Sequence, residues 1–330
     1  MADSFNVLVI DHVDASGMDL LRARSDIDLT WLPDPDDASV VAAMRRADGL
    51  LLRGRYLSDA AWNAAARLRI VSRHGVGCDN LDLRRLAERN VTVAITADAN
   101  AISVAEHALA LMLAAARRLV EDDRNVRTGN WAARERLAAR DLYESTLFVV
   151  GFGRVGRAVA ERAAAFGMRV VVHDPMLRAA ALPAGVRLAS DLDRALAEAD
   201  VLSLNVPLTP ATRGMISAPQ LARMPRGAIV VNTSRGGVVD EQAMLAALDA
   251  GRIGQYATDV LQPEPPPAEH PMIARRDVLL TPHVAAMTQQ GSRRMAERAA
   301  RNLLDFFDGR LDAEMIVASP PLPEPARTAR

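Results

Sequence analysis

The sequence predicts an α/β protein made of two doubly wound parallel-sheet domains. Short aliphatic runs alternate with helical patterns along most of the chain, and this alternation is typical of parallel sheets covered by helices. The chain has 330 residues, whereas single hydrophobic cores stop growing at about 250–300 residues. The length therefore favours two domains.

The first domain begins with five predicted strands, which cover residues 7–10, 27–31, 49–52, 68–72 and 91–95. A different kind of segment follows. Ser103-Val104-Ala105-Glu106 is a capping box, and it predicts a helix from Ser103 to about Leu119. This helix is apolar around much of its circumference, so it lies either between domains or subunits or in the core of one domain.

The second sheet is predicted to contain residues 146–150, 169–173, 201–205, 228–232, 255–259 and 278–281. A helix after Thr288, to about Phe307, comes too late to belong clearly to this sheet and is a candidate to return to the first domain. The tail from Ser319 has four prolines in seven residues, so we expect it to be disordered.

The composition excludes several classes of function. Aromatic residues make up 4% of the chain and no basic block is present, so nucleic acid is not an expected partner. All 40 basic residues are arginine, which excludes Schiff-base chemistry and a P-loop lysine. Cys78 is the only cysteine, and no metal site is predicted. No export signal or membrane span is visible, so we expect a cytoplasmic protein without a membrane partner.

A glycine motif at the end of the strand 146–150 points to a dinucleotide. Gly151 allows a tight turn, Gly153 lets the backbone approach a pyrophosphate, and Gly156 lets helix and strand pack closely. Arg154 and Val155 open the helix whose positive N-terminus would hold the phosphates. A glycine-rich turn without a ligand is the alternative, but the strand, the helix and an acid on the next strand end favour the cofactor.

That acid is Asp174, which directly follows the strand 169–173. A carboxylate at this place binds the ribose hydroxyls of NAD and repels the 2′-phosphate of NADP. Arg178 lies nearby and keeps NADP open as an alternative. The sequence thus predicts NAD as the cofactor.

Polar or glycine residues follow six strands of the second sheet. In open parallel sheets, ligands bind beyond the carboxyl ends of the strands. The segments concerned are 151–156, Asp174, 205–207, 233–237, Asp259 and 282–283. Together they suit one elongated ligand.

Arg235, Glu264 and His283 form a set that could oxidise an alcohol with NAD. His283 is the natural base, Glu264 could hold its ring and stabilise the imidazolium, and Arg235 could bind a substrate carboxylate bidentately. Each residue also has a non-catalytic interpretation: His283 could be a turn histidine, Arg235 a surface arginine and Glu264 a solvated loop acid. Because the three residues occur together in a chain that also carries the cofactor motif, the catalytic interpretation is favoured.

The order of these motifs resembles the D-isomer-specific 2-hydroxyacid dehydrogenases. The resemblance is carried by GFGRVG, Asp174, NTSRGG (232–237), Asp259, QPEP (262–265) and TPH (281–283). RHGVGCDNLD (73–82) and NAISVAEHALALML (100–113) look most like the phosphoglycerate dehydrogenase branch. The resemblance implies a flavodoxin-like substrate domain (1–99 and 287–318) and a Rossmann NAD-binding domain (100–286), with a cleft between them and a tail at 319–330.

The resemblance also implies residue roles. Arg235, Glu264 and His283 would be catalytic, and Asp259 would contact the nicotinamide. Arg53 and the backbone of Val76 and Gly77 would bind substrate, as would Arg235 and His283. Further cofactor contacts would come from Val104, Pro207, Thr212, Thr233, Ser234 and Ala285. Members are usually dimers built on the helix after Ser103, so a homodimer is expected.

Departures from the branch concern the substrate. Gly54 stands where serine is usual, His74 replaces a small residue, and Ala285 and Ala286 replace glycines. The cofactor motif, the catalytic set and the resemblance together predict an NAD-dependent dehydrogenase of a small D-2-hydroxy acid or 2-keto acid, with a 3-phosphoglycerate-like substrate favoured. The alternatives are a hydroxypyruvate, glyoxylate or other 2-keto acid reductase and an NAD(H)-sensing binding protein. Formate dehydrogenase is disfavoured, because that branch has glutamine where Glu264 stands.

Overall fold

The computed structural model describes residues 4–136, 138–177 and 182–318. Arg178 and the predicted disordered tail at 319–330 lie outside these ranges. The chain divides into two compact units, one formed by the described residues up to Asn100 and from Thr288 onward, the other by residues 101–287.

The strands are β1 (Phe5–Ile10), β2 (Ile27–Leu32), β3 (Gly49–Leu52), β4 (Ile70–Arg73), β5 (Thr92–Ala94), β6 (Thr146–Val150), β7 (Arg169–His173), β8 (Val186–Leu188), β9 (Val201–Leu204), β10 (Ala228–Asn232), β11 (Ile253–Thr258), β12 (Val278–Leu280) and β13 (Ile316–Ala318). The α-helices are α1 (Ala15–Arg22), α2 (Asp37–Met44), α3 (Asp59–Ala64), α4 (Leu83–Glu88), α5 (Ala101–Ala116), α6 (Leu119–Arg127), α7 (Arg154–Ala165), α8 (Leu192–Leu196), α9 (Ala218–Arg223), α10 (Glu241–Asp249) and α11 (Gln289–Phe307). Short 3₁₀ helices cover Trp131–Arg136, Gly236–Val238 and Ala313–Met315.

The first unit has a six-stranded sheet with the order β13-β5-β4-β3-β1-β2. Its first five strands are parallel in the flavodoxin order, and β13 joins antiparallel to β5. Helix α11 begins after Thr288, whose hydroxyl accepts a hydrogen bond from the Gly291 amide at 2.8 Å. The helix packs on this sheet, where Ser72 Oγ on β4 donates to the Ala299 carbonyl at 2.8 Å.

The second unit has a seven-stranded parallel sheet with the order β12-β11-β10-β9-β6-β7-β8. Strand β6 lies between β7 and β9, so the chain reverses its direction of growth there and a crevice opens at the carboxyl ends. The predicted two-sheet α/β architecture is therefore confirmed. β6 and β10 are buried along their whole length, as expected for strands covered on both faces.

Two local predictions were wrong or incomplete. The helix predicted from Ser103 to Leu119 begins at Ala101 and ends at Ala116, and α6 follows as a separate helix. Ser103 is buried inside the first turn instead of capping it, since alanine at position 101 already favours the helical conformation. Strands β8 and β13 were missed; both are three-residue strands at a sheet edge, and neither contains a fully buried residue.

Across the three described ranges, no helix combines the length and the apolar composition that a bilayer span requires.

Candidate functional site

The glycine turn after β6 has the backbone geometry that a dinucleotide site needs. Gly151 adopts φ +87°, and a Cβ there would lie 2.4 Å from the Asn205 carbonyl oxygen. A Cβ on Gly156 would lie 2.0 Å from the Gly151 oxygen, so only glycine permits this contact between helix and turn. A Cβ on Gly153 would meet nothing within 4 Å. The N-terminus of α7 at Arg154 and Val155 therefore begins at an open position.

Asp174 follows β7 and is oriented by two backbone amides. Its Oδ2 accepts from the Phe152 amide and its Oδ1 from the Met176 amide, each at 2.9 Å. The carboxylate is thereby tied to the glycine turn itself. This placement is the one expected for an acid that binds a ribose, because each oxygen keeps a further lone pair.

The ends of β9 and β10 carry buried oxygens that have no hydrogen-bond partner within the described ranges. These are Asn205 Oδ1 and Thr233 Oγ1. Buried polar atoms are rarely left unsatisfied, so each such atom needs an explanation such as a ligand or a water molecule. Both residues follow neighbouring strands at the carboxyl edge of the sheet.

Asn232 organises the loop that follows β10, and the sequence prediction did not single it out. Its Oδ1 accepts from the amide of Ser234 at 3.0 Å and from the Ser234 hydroxyl at 2.7 Å. Its Nδ2 donates to the Arg235 carbonyl at 3.0 Å. Ser234, a predicted cofactor contact, therefore uses its hydroxyl proton within the loop. A polar asparagine that ends an otherwise aliphatic strand was the available signal in the sequence.

The loop after β9 is closed by Thr212. Its hydroxyl donates to the Pro207 carbonyl at 2.6 Å and accepts from the Thr209 amide at 2.8 Å. Two predicted cofactor contacts, Pro207 and Thr212, thus lie in one hydrogen-bonded turn at the carboxyl edge.

Glu264 and His283 are in direct contact. His283 Nδ1 lies 2.7 Å from Glu264 Oε2, and Glu264 Oε1 accepts from the Leu261 amide at 3.2 Å. The His283 side chain is 50% exposed and that of Glu264 is 36% exposed. Because the carboxylate accepts from Nδ1, the Nε2 atom is the one that can exchange a proton with a ligand.

Arg235 follows β10, next to β11 in the sheet. Its Nη1 donates to the Ser234 carbonyl at 2.7 Å, and the side chain is partly buried. Arg235 therefore belongs to the same carboxyl edge as the residues that follow β11 and β12, which include Glu264 and His283.

Asp259 is buried, with 1% of its surface exposed. Its Oδ1 accepts from Thr281 Oγ1 at 2.6 Å and from the Val284 amide at 2.9 Å, and its Oδ2 accepts from the Ala285 amide at 2.8 Å. The carboxylate thus holds the segment that carries His283. Its predicted nicotinamide contact stays a prediction, as does that of Ala285.

In the first unit, Arg53 follows β3, and its Nη1 donates to the His12 carbonyl at 3.2 Å. Arg53 lines an open pocket of about 450 Å³ with Asp11, Asp34 and Arg55, among others. Val76 and Gly77 lie in the loop after β4, where Val76 is 42% exposed.

His74 precedes this loop and is buried. Its burial, together with the positive charges of Arg53 and Arg73, lowers its pKa to about 4. The ring is therefore neutral near pH 7.

The residues at the carboxyl edge of the second unit fit a dinucleotide. They provide an open helix N-terminus at Gly153, a carboxylate at Asp174 and two unsatisfied buried oxygens, on Asn205 and Thr233. Val104, another predicted contact, is half-buried on α5.

Comparison with known proteins gives the same assignment. Residues 109–285 match the family model of the D-isomer specific 2-hydroxyacid dehydrogenase, NAD binding domain. D-3-phosphoglycerate dehydrogenase 2 of Arabidopsis thaliana is 37% identical over 96% of this chain, but the chain spans only 51% of that relative. A glyoxylate reductase of Korarchaeum cryptofilum is 37% identical over 94% of this chain and 95% of its own length.

Among solved structures, the TT0316 protein from Thermus thermophilus has a TM-score of 0.85 at 36% identity. The match covers 95% of this chain and 100% of that protein. The family model, these relatives and the architecture agree. The chain belongs to the D-isomer-specific 2-hydroxyacid dehydrogenase family, and residues 109–285 match its NAD-binding domain.

Proposed function

We propose that the protein is an NAD-dependent dehydrogenase that interconverts a D-2-hydroxy acid and the corresponding 2-keto acid. The observation that carries this proposal is the 2.7 Å contact between His283 Nδ1 and Glu264 Oε2. The pair lies at the carboxyl edge of the sheet whose glycine turn suits a dinucleotide. A histidine held by a carboxylate is a group that takes and returns a proton.

His283 is the proposed general acid and base. In the oxidation direction, its Nε2 accepts the hydroxyl proton of the substrate. Glu264 keeps the other ring nitrogen protonated and stabilises the imidazolium that forms. Arg235 binds the substrate carboxylate and orients the reacting carbon. NAD, when bound, accepts the hydride.

The remaining predicted residues keep their proposed roles. In the second unit, Asp174 binds the adenosine ribose and favours NAD over NADP, and Asp259 contacts the nicotinamide side. Other cofactor contacts come from Gly151, Gly153, Arg154, Val155, Gly156, Val104, Pro207, Thr212, Thr233, Ser234 and Ala285. In the first unit, Arg53 and the Val76–Gly77 backbone bind the substrate carboxylate.

A 3-phosphoglycerate-like acid is the favoured substrate. The pocket beside Arg53 also contains Arg55, and two cations suit a substrate with a second negative group. Asp11 and Asp34 line the same pocket, and Asp11 pairs with Arg55 at 3.0 Å. This partial neutralisation supports the unphosphorylated acids, hydroxypyruvate and glyoxylate, as the alternative.

A homodimer in the cytoplasm is the proposed state of the protein. Helix α6 and the segment after it leave large apolar side chains exposed, namely Leu119, Val120, Val126 and Trp131, which are 53–65% exposed. An exposed apolar surface of this kind is typical of protein interfaces. Sedimentation at several protein concentrations measures the oligomeric state, and a monomer throughout would contradict the proposal.

NADH oxidation against a panel of keto acids tests the proposed function. The panel contains phosphohydroxypyruvate, hydroxypyruvate, glyoxylate and sulfopyruvate, and each assay is repeated with NADPH. We expect turnover with at least one acid, a preference for NADH, and loss of turnover in the His283→Ala variant. NADH binding without turnover across the panel would contradict the proposal and favour an NAD(H)-sensing protein.

A further inference from the structure

The site contains a second histidine to which sequence reasoning assigned no role. We propose that His107 is a positioning residue that, through the Thr281 hydroxyl, holds the segment carrying His283 in its working orientation. The inference deepens the proposed function and rests on the catalytic role of His283. His107 lies on α5, and its side chain is 22% exposed.

The direction of the hydrogen bonds follows from the proton count. Thr281 Oγ1 lies 2.6 Å from Asp259 Oδ1, and His107 Nε2 lies 2.9 Å from the same hydroxyl. A hydroxyl has one proton, and the carboxylate can only accept. Thr281 therefore donates to Asp259 and accepts from His107. This arrangement assigns the ring proton of His107 to Nε2.

Asp259, which accepts the hydrogen bond from Thr281, also holds the segment that carries His283. Its carboxylate accepts from the amides of Val284 and Ala285, and its carbonyl accepts from the His283 amide at 2.8 Å. His283 has φ +53°, in the left-handed region that a residue with a side chain seldom adopts. Such a conformation persists only when neighbouring contacts hold it. The orientation of His283 thus depends on the donors around Asp259.

His107 connects this arrangement to a neighbouring element. Helix α5 also carries Val104, which is three residues earlier and hence on the same side of the helix. Val104 is a proposed cofactor contact. His107 therefore joins the helix proposed to contact the cofactor to the segment that bears the proton-transfer group.

Two pairs of variants test the proposal. His107→Leu removes the donor, whereas His107→Gln keeps an N–H at the same number of bonds from the backbone. Thr281→Val removes the hydroxyl, whereas Thr281→Ser keeps it. Glu106→Gln, on the exposed side of α5, is the control for effects on the helix.

Hydrogen exchange is measured on the resting protein for the segment 281–287, and steady-state kinetics are measured with the best keto acid. We expect the Val284 and Ala285 amides to exchange faster in His107→Leu and Thr281→Val. Exchange should return towards the wild-type rate in His107→Gln and Thr281→Ser. In the first two variants, kcat should fall about tenfold while KM changes less than about twofold, because a displaced catalytic group mainly affects the reacting geometry.

Unchanged exchange in His107→Leu would overturn the proposal, as would a failure of His107→Gln to restore it. If His107→Leu fails to fold, His107→Met, which also lacks the donor, is compared with His107→Gln in the same way. The exchange measurement needs no turnover. It therefore remains decisive even if the wild-type protein oxidises NADH with none of the keto acids, a result that would count against the proposed function alone.

Discussion

His74 and His283 each follow a strand of a parallel sheet, β4 in the first unit and β12 in the second, yet their surroundings differ in every respect. His74 is 5% exposed, its Nε2 has no hydrogen-bond partner in the described part of the chain, and burial with Arg53 and Arg73 lowers its pKa to about 4. The His283 side chain is 50% exposed and contacts the Glu264 carboxylate at 2.7 Å.

The comparison shows that a position at a strand end does not by itself suit a histidine to proton transfer. A base must accept a proton near neutral pH, and the burial and the two neighbouring cations oppose this at His74. A carboxylate partner fixes the tautomer of a histidine ring, as at His283, whose Nδ1 lies 2.7 Å from Glu264 Oε2. The same residue type is therefore structural at one sheet edge and suited to proton transfer at the other.

Replacing each histidine should separate these two roles most strongly. His283→Ala should lower kcat by about 10³-fold, because general acid–base catalysis contributes about 10²–10⁴-fold. His74→Gln should lower kcat by less than about fivefold. Steady-state kinetics give kcat, and fluorescence titration with NADH checks that both variants still bind the cofactor. Equal losses in the two variants would remove the distinction.

Acid should destabilise the first unit through His74. The pKa of His74 is about 4 in the folded chain, against an ordinary value of 6.5, so below 6.5 the unfolded chain binds a proton that the folded chain does not. The free energy of unfolding should thus fall by about 3 kcal/mol between pH 6.5 and 4 and be independent of this group above that range.

Urea unfolding of the wild-type protein and of His74→Gln, measured at pH 7.5, 5.5 and 4.5, tests this linkage. The difference between the two proteins isolates His74 from other titrating groups. As the pH falls, the free energy of unfolding of the wild-type protein should decrease relative to that of His74→Gln. A difference that is constant with pH would mean that His74 is not buried in its neutral form.

Glu264→Gln should show how much the carboxylate contributes to the His283 environment. Glutamine keeps a hydrogen-bond acceptor but removes the negative charge that stabilises the imidazolium. We expect kcat to fall about 30-fold, or about 2 kcal/mol, with little change in NADH affinity. Glu269→Gln, an exposed acid in the same loop region, is the matched control. A loss confined to KM would contradict the proposed role.

The smallest effect is expected at the cofactor end of the second unit. Asp174→Ala removes the proposed ribose contact, so the KM for NADH should rise about tenfold, or about 1.4 kcal/mol. The KM for NADPH should rise less or fall, since the repulsion of a 2′-phosphate is removed as well. Kinetics with both cofactors give the ratio, and an unchanged ratio would contradict the assignment of Asp174.

Local sequence predicted the features that depend on adjacent residues. The glycine turn follows from steric limits at Gly151 and Gly156, and the start of α11 follows from the cap at Thr288. Ser103 shows the limit of the same reasoning, because a capping pattern was present but the helix had already begun at Ala101.

Residues whose roles come from distant partners could not be predicted. His107 contacts Thr281, which is 174 positions away, and nothing in the helix pattern around it indicates that contact. The burial of His74 is another case, since it depends on neighbouring elements that the sequence does not place beside it.

Chemical rescue of keto-acid reduction tests the central claim most directly. Reduction requires a proton from His283, so added imidazole should restore turnover to His283→Ala in proportion to its concentration. The same imidazole should leave kcat of the wild-type protein and of His74→Gln unchanged. Rescue of His74→Gln, or no rescue of His283→Ala while this variant still binds NADH, would contradict the assignment of proton transfer to the second unit.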